Sequence, residues 1–228
     1  MSEFRQEEFN NFILDNNVIG FFEEPVQLKS GRFSSWYVNW RTVSEDVYLC
    51  ERLSEYVIAF TQDLGFELDC FYGVPEGATK LGLAVQTNYA KKSPDYGPGS
   101  HTLSMGRGKP KSHGVPKDKY FVGQPKGDTI VLEDVTTTGG SLLEEIAKLK
   151  ENDTILDAAI ALTNRMEKTD KGVSVKRVIE SAGVPYFAMS DAHELLPEAY
   201  GHEQPGELVR RNLEHEFRCY GVKPLVLK

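Results

Sequence analysis

The chain has 228 residues, of which 40% are hydrophobic and 26% charged, with a formal net charge of -8. That length suits one large domain, or one domain with a small appendage, and no apolar run approaches the roughly 20 residues of a membrane helix, which argues against a membrane role. The acidic balance opposes non-specific binding to nucleic acid, which clustered Lys and Arg drive by neutralising phosphates, so any anion site must be local.

In chain order, the first eight residues are polar and acidic rather than basic and then apolar, unlike a secretory signal, and a cytoplasmic location is expected. Phe9, Phe12 and Ile13 fall at helical spacing and predict a short amphipathic helix over about residues 2–16. Residues 18–40 carry short apolar runs broken by Pro25 and by Lys29-Ser30-Gly31-Arg32, which read as strands and turns. Leu49, Leu53, Val57 and Phe60 mark a helical stripe over 45–63, ending before Gly65. The apolar runs 68–74, 129–135, 155–162 and 185–189 then alternate with helical stretches ending near Lys91, Lys150 and Ser181. Such alternation predicts an α/β fold with an open, doubly wound parallel sheet. In such sheets ligands sit beyond the C-terminal strand ends, so the turns at 73–77, 134–141 and 163–167 should share one crevice. Residues 106–124, rich in Gly, Pro and Lys, are too long for an ordinary turn and suggest a functional lid or a disordered segment. Residues 191–228 read as a helical appendage with Leu208, Leu213 and Phe217 on a possible buried face. Cys50, Cys70 and Cys219 are odd in number and contain no Cys-x-x-Cys pair, so neither a disulfide framework nor a zinc site is expected.

The chemistry concentrates at 130–141, Ile-Val-Leu-Glu-Asp-Val-Thr-Thr-Thr-Gly-Gly-Ser. Adjacent strand residues face opposite ways, so Glu133 and Asp134 can both reach a crevice only if the strand ends there. Thr136, Thr137 and Thr138 supply hydroxyls, and Gly139 and Gly140 let backbone N–H groups turn towards an anion at the next helix, with Ser141 beside them. A phosphate cradle beside two acids suits a phosphorylated sugar, the acids taking ribose hydroxyls or steadying positive charge at the anomeric carbon. The bland alternative is a Thr N-cap and a glycine turn with solvated acids. A Walker loop is excluded because neither Gly-Lys-Ser nor Gly-Lys-Thr occurs.

This string resembles the phosphoribosyl-diphosphate motif of type I phosphoribosyltransferases. The resemblance implies that Glu133 and Asp134 face the ribose, that residues 136–141 hold the 5′-phosphate, and that Mg²⁺, a hard cation preferring oxygen ligands, bridges ribose and diphosphate. It implies no direct protein ligand to the metal, which the substrate mainly holds. Residues 28–39, Leu-Lys-Ser-Gly-Arg-Phe-Ser-Ser-Trp-Tyr-Val-Asn, are similar to the N-terminal segment of orotate phosphoribosyltransferases, with Ser35 where that family often has proline. By that likeness Lys29 reaches the substrates while Tyr37 and Val38 lie against the orotate ring; the segment alone also reads as a hairpin with a Ser-Gly turn. Arg107-Gly-Lys-Pro-Lys-Ser-His-Gly resembles that family's catalytic loop, matching at Arg107, Lys111, His113 and Gly114, while Gly108 replaces a lysine that Lys109 is placed to substitute. Residues 107–126 hold Arg107, Lys109, Lys111, Lys117, Lys119 and Lys126 against one acid, Asp118, so the lid could stabilise a leaving diphosphate and exclude water. A solvated basic loop or nucleic-acid patch is the alternative there. Residues 73–78 resemble the loop that receives diphosphate through backbone N–H groups, Gly77 included, although Glu76 is acidic. Arg165 stands where the family pairs an arginine with the orotate carboxylate, a contact that a planar guanidinium makes bidentately; alone it would more often be a surface residue.

The resemblance therefore implies one phosphoribosyltransferase domain over 1–228: an N-terminal hood at 1–40, an α/β core at 45–190, a mobile catalytic loop at 107–124, and the helical appendage at 191–228. The implied partners are phosphoribosyl diphosphate and orotate, with Mg²⁺ and no nucleic acid, in a homodimer sharing the loop across subunits. The expected catalytic residues are Lys111, Arg107, Asp134 and His113. A purine-specific transferase is opposed by 28–39 and Arg165. A non-catalytic sensor would not need Lys111 on a lid. Fusion to a decarboxylase is excluded because no Asp-x-Lys-x-x-Asp pattern occurs.

Overall fold

The computed structural model describes residues 3–28, 30–112 and 119–227; Lys29, His113, Gly114, Lys117 and Asp118 lie outside the described residues. Helix α1 (Gln6–Asp15) buries Phe9 and Ile13, as its spacing predicts. An antiparallel pair follows, β1 (Ile19–Gln27) and β2 (Phe33–Val38), whose register shifts between Phe21 and Val26. Pro25 sits in that irregular stretch, where a residue without an N–H is tolerated, so it bends the strand without ending it. The helix expected over 45–63 is α3 (Val47–Asp63), and a short α2 (Arg41–Ser44), which the stripe does not reach, precedes it. The break falls at Asp46, which takes extended dihedrals and accepts the Leu49 N–H at 2.9 Å, capping α3.

The central sheet has order β3-β6-β7-β8, all parallel: β3 (Cys70–Gly73), β6 (Asp128–Thr136), β7 (Ile155–Asn164) and β8 (Tyr186–Ala188). Alternation along β6 sends Ile130 and Leu132 into one core and Val131 into another. The first core packs under α1, α3, α4 (Thr79–Lys92), α7 (Ala192–Glu203) and α8 (Glu207–Cys219), and it takes in Trp36 and Val38 of β2. The second lies under α5 (Gly140–Glu151) and α6 (Val175–Ser181). Both faces are thus covered, as parallel strands require. Each buried Leu, Ile or Phe contributes about 1.5–3 kcal/mol, so the sheet is a stiff platform for whatever its strand ends carry.

The winding reverses between β3 and β6. Helix α4 leaves β3 on the first face and leads to β4 (Met105–Gly106), which packs alongside β3, whereas α5 and α6 carry the chain the other way over the second face. The outer edge of β3 is closed by buried Gln86 of α4, which accepts from Phe71 N at 2.9 Å and donates to Asp69 O and Thr102 O at 3.0 and 2.9 Å. Open sheets place ligands at such a reversal, beyond the C-terminal ends of the strands.

Two expectations are corrected. Strand β6 does not end at Asp134 but continues to Thr136, because β7 still pairs with it there (Thr136 opposite Asn164). On α8 the buried stripe is Val209, Leu213, Glu216 and Phe217, while Leu208 is 56% exposed; five residues before Leu213, it falls well off that face. Cys50 and Cys70 are buried and Cys219 exposed, all as free thiols; burial pushes the Cys70 thiol up to about 11. Among the described residues no helix is long and apolar enough to cross a membrane.

Candidate active site

On the β3 side β6 is paired only as far as Leu132, so Glu133 to Thr136 project past the end of that neighbour. By the strand period Glu133 and Asp134 leave on opposite faces. Asp134 is half-buried, and its Oδ1 accepts the Val135 N–H at 2.8 Å. Its carboxylate packs directly on Gly77, where an added Cβ would come within 2.5–2.8 Å of the carboxylate atoms. Only glycine allows this approach, which joins the 73–78 loop to the acid pair. Glu133 is buried on the side of Tyr186. Burial first, then the Glu133 charge, push the Tyr186 phenol above its ordinary range against the hydrogen bond with Thr136, so it stays protonated.

Of the three threonines, Thr136 turns inward: it is buried, with its hydroxyl 2.6 Å from Tyr186 Oη. That leaves the half-buried Thr137 and Thr138, with exposed Gly140 and Ser141, lining the turn. Gly139 has φ +76° and stands at the N-cap of α5 without a side-chain cap, so the first N–H groups of α5 have no capping side chain and can meet an anion.

The third arm follows β7. Arg165 N donates to Thr136 O at 2.9 Å, holding this arm against the 134–141 turn. Its side chain is 2% exposed, so the surface alternative is excluded. Nε donates to Glu167 at 2.8 Å, Nη2 to Ser34 Oγ at 2.8 Å and Glu216 at 3.0 Å, and Nη1 to Trp36 O at 3.4 Å, while the guanidinium lies 4.0 Å over the Trp36 ring. Four hydrogen bonds thus run from its five N–H groups, and a bidentate grip on a ligand requires Nη1 to release Trp36 O or Nη2 to release a partner. Tyr37 is half-buried and Val38 buried, next along β2 from Trp36. Among the described residues Ser35 Oγ is buried without a hydrogen-bond partner, at the position where the resemblance has proline.

The lid's base is a two-stranded antiparallel ribbon, β4 with β5 (Phe121–Val122), prolonged by Arg107 N to Tyr120 O and Lys111 N to Lys119 O, both 2.8 Å. Arg107 is half-buried, and Lys109 and Lys111 are exposed. Two of the departures from the family pattern, Glu76 and Gly108, are neighbours: a Cβ on Gly108 would come within 2.8 Å of Glu76 Oε1. The Glu76 carboxylate occupies the space that a side chain at 108 would need.

The chain therefore brings the 73–78 loop, the 133–141 segment and Arg165 together at one end of the sheet, with the ribbon rising beside the first. Among the described residues no group of three or more His, Cys, Asp or Glu could hold a metal ion. The donor that fits a hard cation at this crevice is the carboxylate of Asp134, which suits sharing with substrate oxygens rather than a protein cage. Sequence reasoning did not find Glu167, Glu216, Ser34 or Arg32, which build the surroundings of Arg165. One signal was available: Glu216 is an acid on an otherwise apolar helical stripe.

No family model matches the chain. A protein of Bradyrhizobium sp. strain BTAi1 named orotate phosphoribosyltransferase is 30% identical over 184 residues, covering 77% of this chain and 90% of its own. The orotate phosphoribosyltransferase of Agathobacter rectalis is 28% identical, covering 95% of this chain and 97% of its own. The solved structure of the Francisella tularensis orotate phosphoribosyltransferase matches with a TM-score of 0.67 at 21% identity, over 94% of this chain and 99% of its own, a likeness of fold.

Proposed function

The chain belongs to the orotate phosphoribosyltransferase family, and on that premise we propose how its residues divide the work of transferring a ribosyl-5-phosphate group from phosphoribosyl diphosphate to N1 of orotate. The reaction gives orotidine 5′-phosphate and diphosphate, a step of de novo pyrimidine (UMP) synthesis. Its α/β architecture is that of type I phosphoribosyltransferases.

The observation that carries the proposal is the packing of Asp134 on Gly77 beside the turn that opens α5. It places a carboxylate, a glycine loop with backbone N–H donors and a helix N-terminus around one space. In this reading Thr137, Thr138, Gly139, Gly140 and Ser141 take the 5′-phosphate. Asp134 lies beneath the ribose, Glu133, on the other face of β6, is assigned to it by the family likeness alone, and Thr136 supports the strand end through its bond to Tyr186. The 73–78 loop, Gly77 included, receives the diphosphate, and Arg107, Lys109 and Lys111 meet its growing charge. Lys29, Tyr37, Val38 and Arg165 hold orotate, and His113 joins Lys111 in the catalytic set.

As the C1–O bond to diphosphate breaks, positive charge builds on the sugar and negative charge on the leaving group, and the proton that N1 releases as it bonds to C1 passes to the departing diphosphate or to water. The fixed Asp134 carboxylate below the ring and fixed cations at the diphosphate stabilise those charges where they develop, so no covalent nucleophile is needed. Mg²⁺, when bound with the donor, supplies a hard cation that offsets diphosphate charge. That offset matters here because Glu76 lies at the diphosphate loop and would otherwise repel it. We further propose a single domain with a hood at 1–40, and a cytoplasmic homodimer in which the lid acts across subunits.

Replacing Lys111 with Ala tests the assignment. It should depress kcat on the order of a hundredfold while changing donor affinity little, as for a contact made mainly in the transition state. An unchanged kcat removes Lys111 from the mechanism.

A further inference from the structure

Glu216 is the charged member of the buried stripe of α8, between Leu213 and Phe217. A buried carboxylate is costly unless paired and hydrogen-bonded, and the partners of this one belong to the two segments assigned above to the base. Ser34 Oγ donates to it at 2.8 Å, Ser35 N at 3.3 Å, Trp36 Nε1 at 3.2 Å and Arg165 Nη2 at 3.0 Å. Ser34 Oγ also accepts from Arg165 Nη2 at 2.8 Å, closing a ring of three side chains. At Nε, Glu167 accepts from Arg165 at 2.8 Å, and it also accepts from Arg32 Nη1 at 2.9 Å. Arg32, Arg165, Glu167 and Glu216 are each 11% exposed or less, and their formal charges cancel.

This arrangement clamps a planar guanidinium at Nε and Nη2 and backs it with the Trp36 ring. The edge left most loosely held is Nη1, whose contact with Trp36 O is the longest of the set at 3.4 Å. We infer that Glu216 is a positioning residue for base recognition: through Nη2 of Arg165 and through β2 it fixes the guanidinium so that Nη1 faces the base, which makes α8 a working part of the site. The inference rests on the reading of Arg165 as the group that meets the orotate carboxylate. It gives residues 191–228 a role in specificity rather than only in closing the core.

Charge and position predict opposite effects, which makes the inference testable. Removing the Glu216 charge leaves the cluster one unit more positive, so if net charge governed, E216Q would bind anionic orotate more tightly. If position governs, orotate is bound less well. Steady-state kinetics on the full chain should show E216Q raising the KM for orotate about tenfold, the order lost with one hydrogen bond to a charged group, with the KM for phosphoribosyl diphosphate and the kcat changed less than about twofold. S34A, which removes the bridging hydroxyl, should shift the same parameter and carries the test if E216Q does not fold. In an R165K background the effect of E216Q on the KM for orotate should vanish, since a residue acting through another loses its effect with it. A KM for orotate that is unchanged or lowered in E216Q, or additive effects in the double variant, overturns the inference. R165K separates the two levels: if it raises the KM for orotate while E216Q does not, only the role of Glu216 falls; if R165K leaves that KM unchanged, the assignment of Arg165 falls and this inference with it.

Discussion

Glu167 is the carboxylate whose loss should cost the fold most. It is 2% exposed and bridges two arginines, with Oε1 2.8 Å from Arg165 and Oε2 2.9 Å from Arg32. In Glu167→Gln the shape stays and the charge goes. Among the described residues Arg165 then keeps only Glu216 as counterion, and Arg32 only Asp170, whose side chain is 96% exposed and whose field water screens. Breaking a buried pair costs about 3–5 kcal/mol, because an uncompensated buried charge remains. The retained amide oxygen still accepts one hydrogen bond, which places this variant near about 3 kcal/mol. Against a typical total of about 5–15 kcal/mol that is a large share, and at roughly 2–4 °C per kcal/mol it lowers Tm by about 6–12 °C. Urea unfolding followed by circular dichroism, with calorimetry for Tm, measures it. A loss below about 1 kcal/mol at unchanged m-value would put the bridge in the class of exposed ion pairs and refute the reasoning.

Gly77→Ala places a Cβ within 2.5–2.8 Å of the Asp134 carboxylate, so the acid must move. The expected result is a drop in kcat/KM for phosphoribosyl diphosphate on the order of a hundredfold at near-normal stability, and an unchanged value would separate this contact from the reaction. Leu132→Ala, in the core directly beneath the acid pair, should cost about 2–5 kcal/mol of unfolding free energy by chemical denaturation; a loss under about 1 kcal/mol would contradict the assigned packing. His193 reports on pH. Burial first, then the Lys223 charge, lower its pKa below the ordinary 6.5, and its Nδ1 is buried without a partner among the described residues. Below pH 6.5 the unfolded chain binds the proton more readily than the fold does, so stability is full above that pH and is lost as pH falls through the lowered value. Comparing unfolding free energies at pH 7.5 and at about pH 5, His193→Phe should lose less than the parent chain. Equal losses would assign the acid sensitivity elsewhere.

What was readable in advance follows from the range of the interactions. The four parallel strands and the acid–threonine–glycine string are local patterns, an apolar run and a turn, and the fold keeps them. The end of β6 was misjudged because it depends on how far β7 pairs, which lies outside the string itself. Helix α3 was legible from its apolar stripe, with Asp46 three residues before Leu49 as a usable sign of its start, whereas the short α2 was not foreseen because four residues carry no helical period. Leu208 was assigned to the core by hydrophobicity, while the actual face includes Glu216. Arg165 was found by resemblance, but its partners Ser34 and Glu216 lie 131 and 51 residues away in sequence, and no local pattern links them. The coincidence of Glu76 with Gly108 had the same character. Each is a departure when read along the chain, and together they fill one space.

Turnover decides which base is the acceptor. The purified full chain is mixed with Mg²⁺, phosphoribosyl diphosphate and, separately, orotate, uracil, adenine, hypoxanthine or guanine, and nucleotide formation is followed by ultraviolet absorbance and chromatography. Orotate should give orotidine 5′-phosphate and diphosphate in equal amounts, with no comparable turnover of the other bases. Turnover of a purine in place of orotate, or tight donor binding with no turnover of any base, would contradict it.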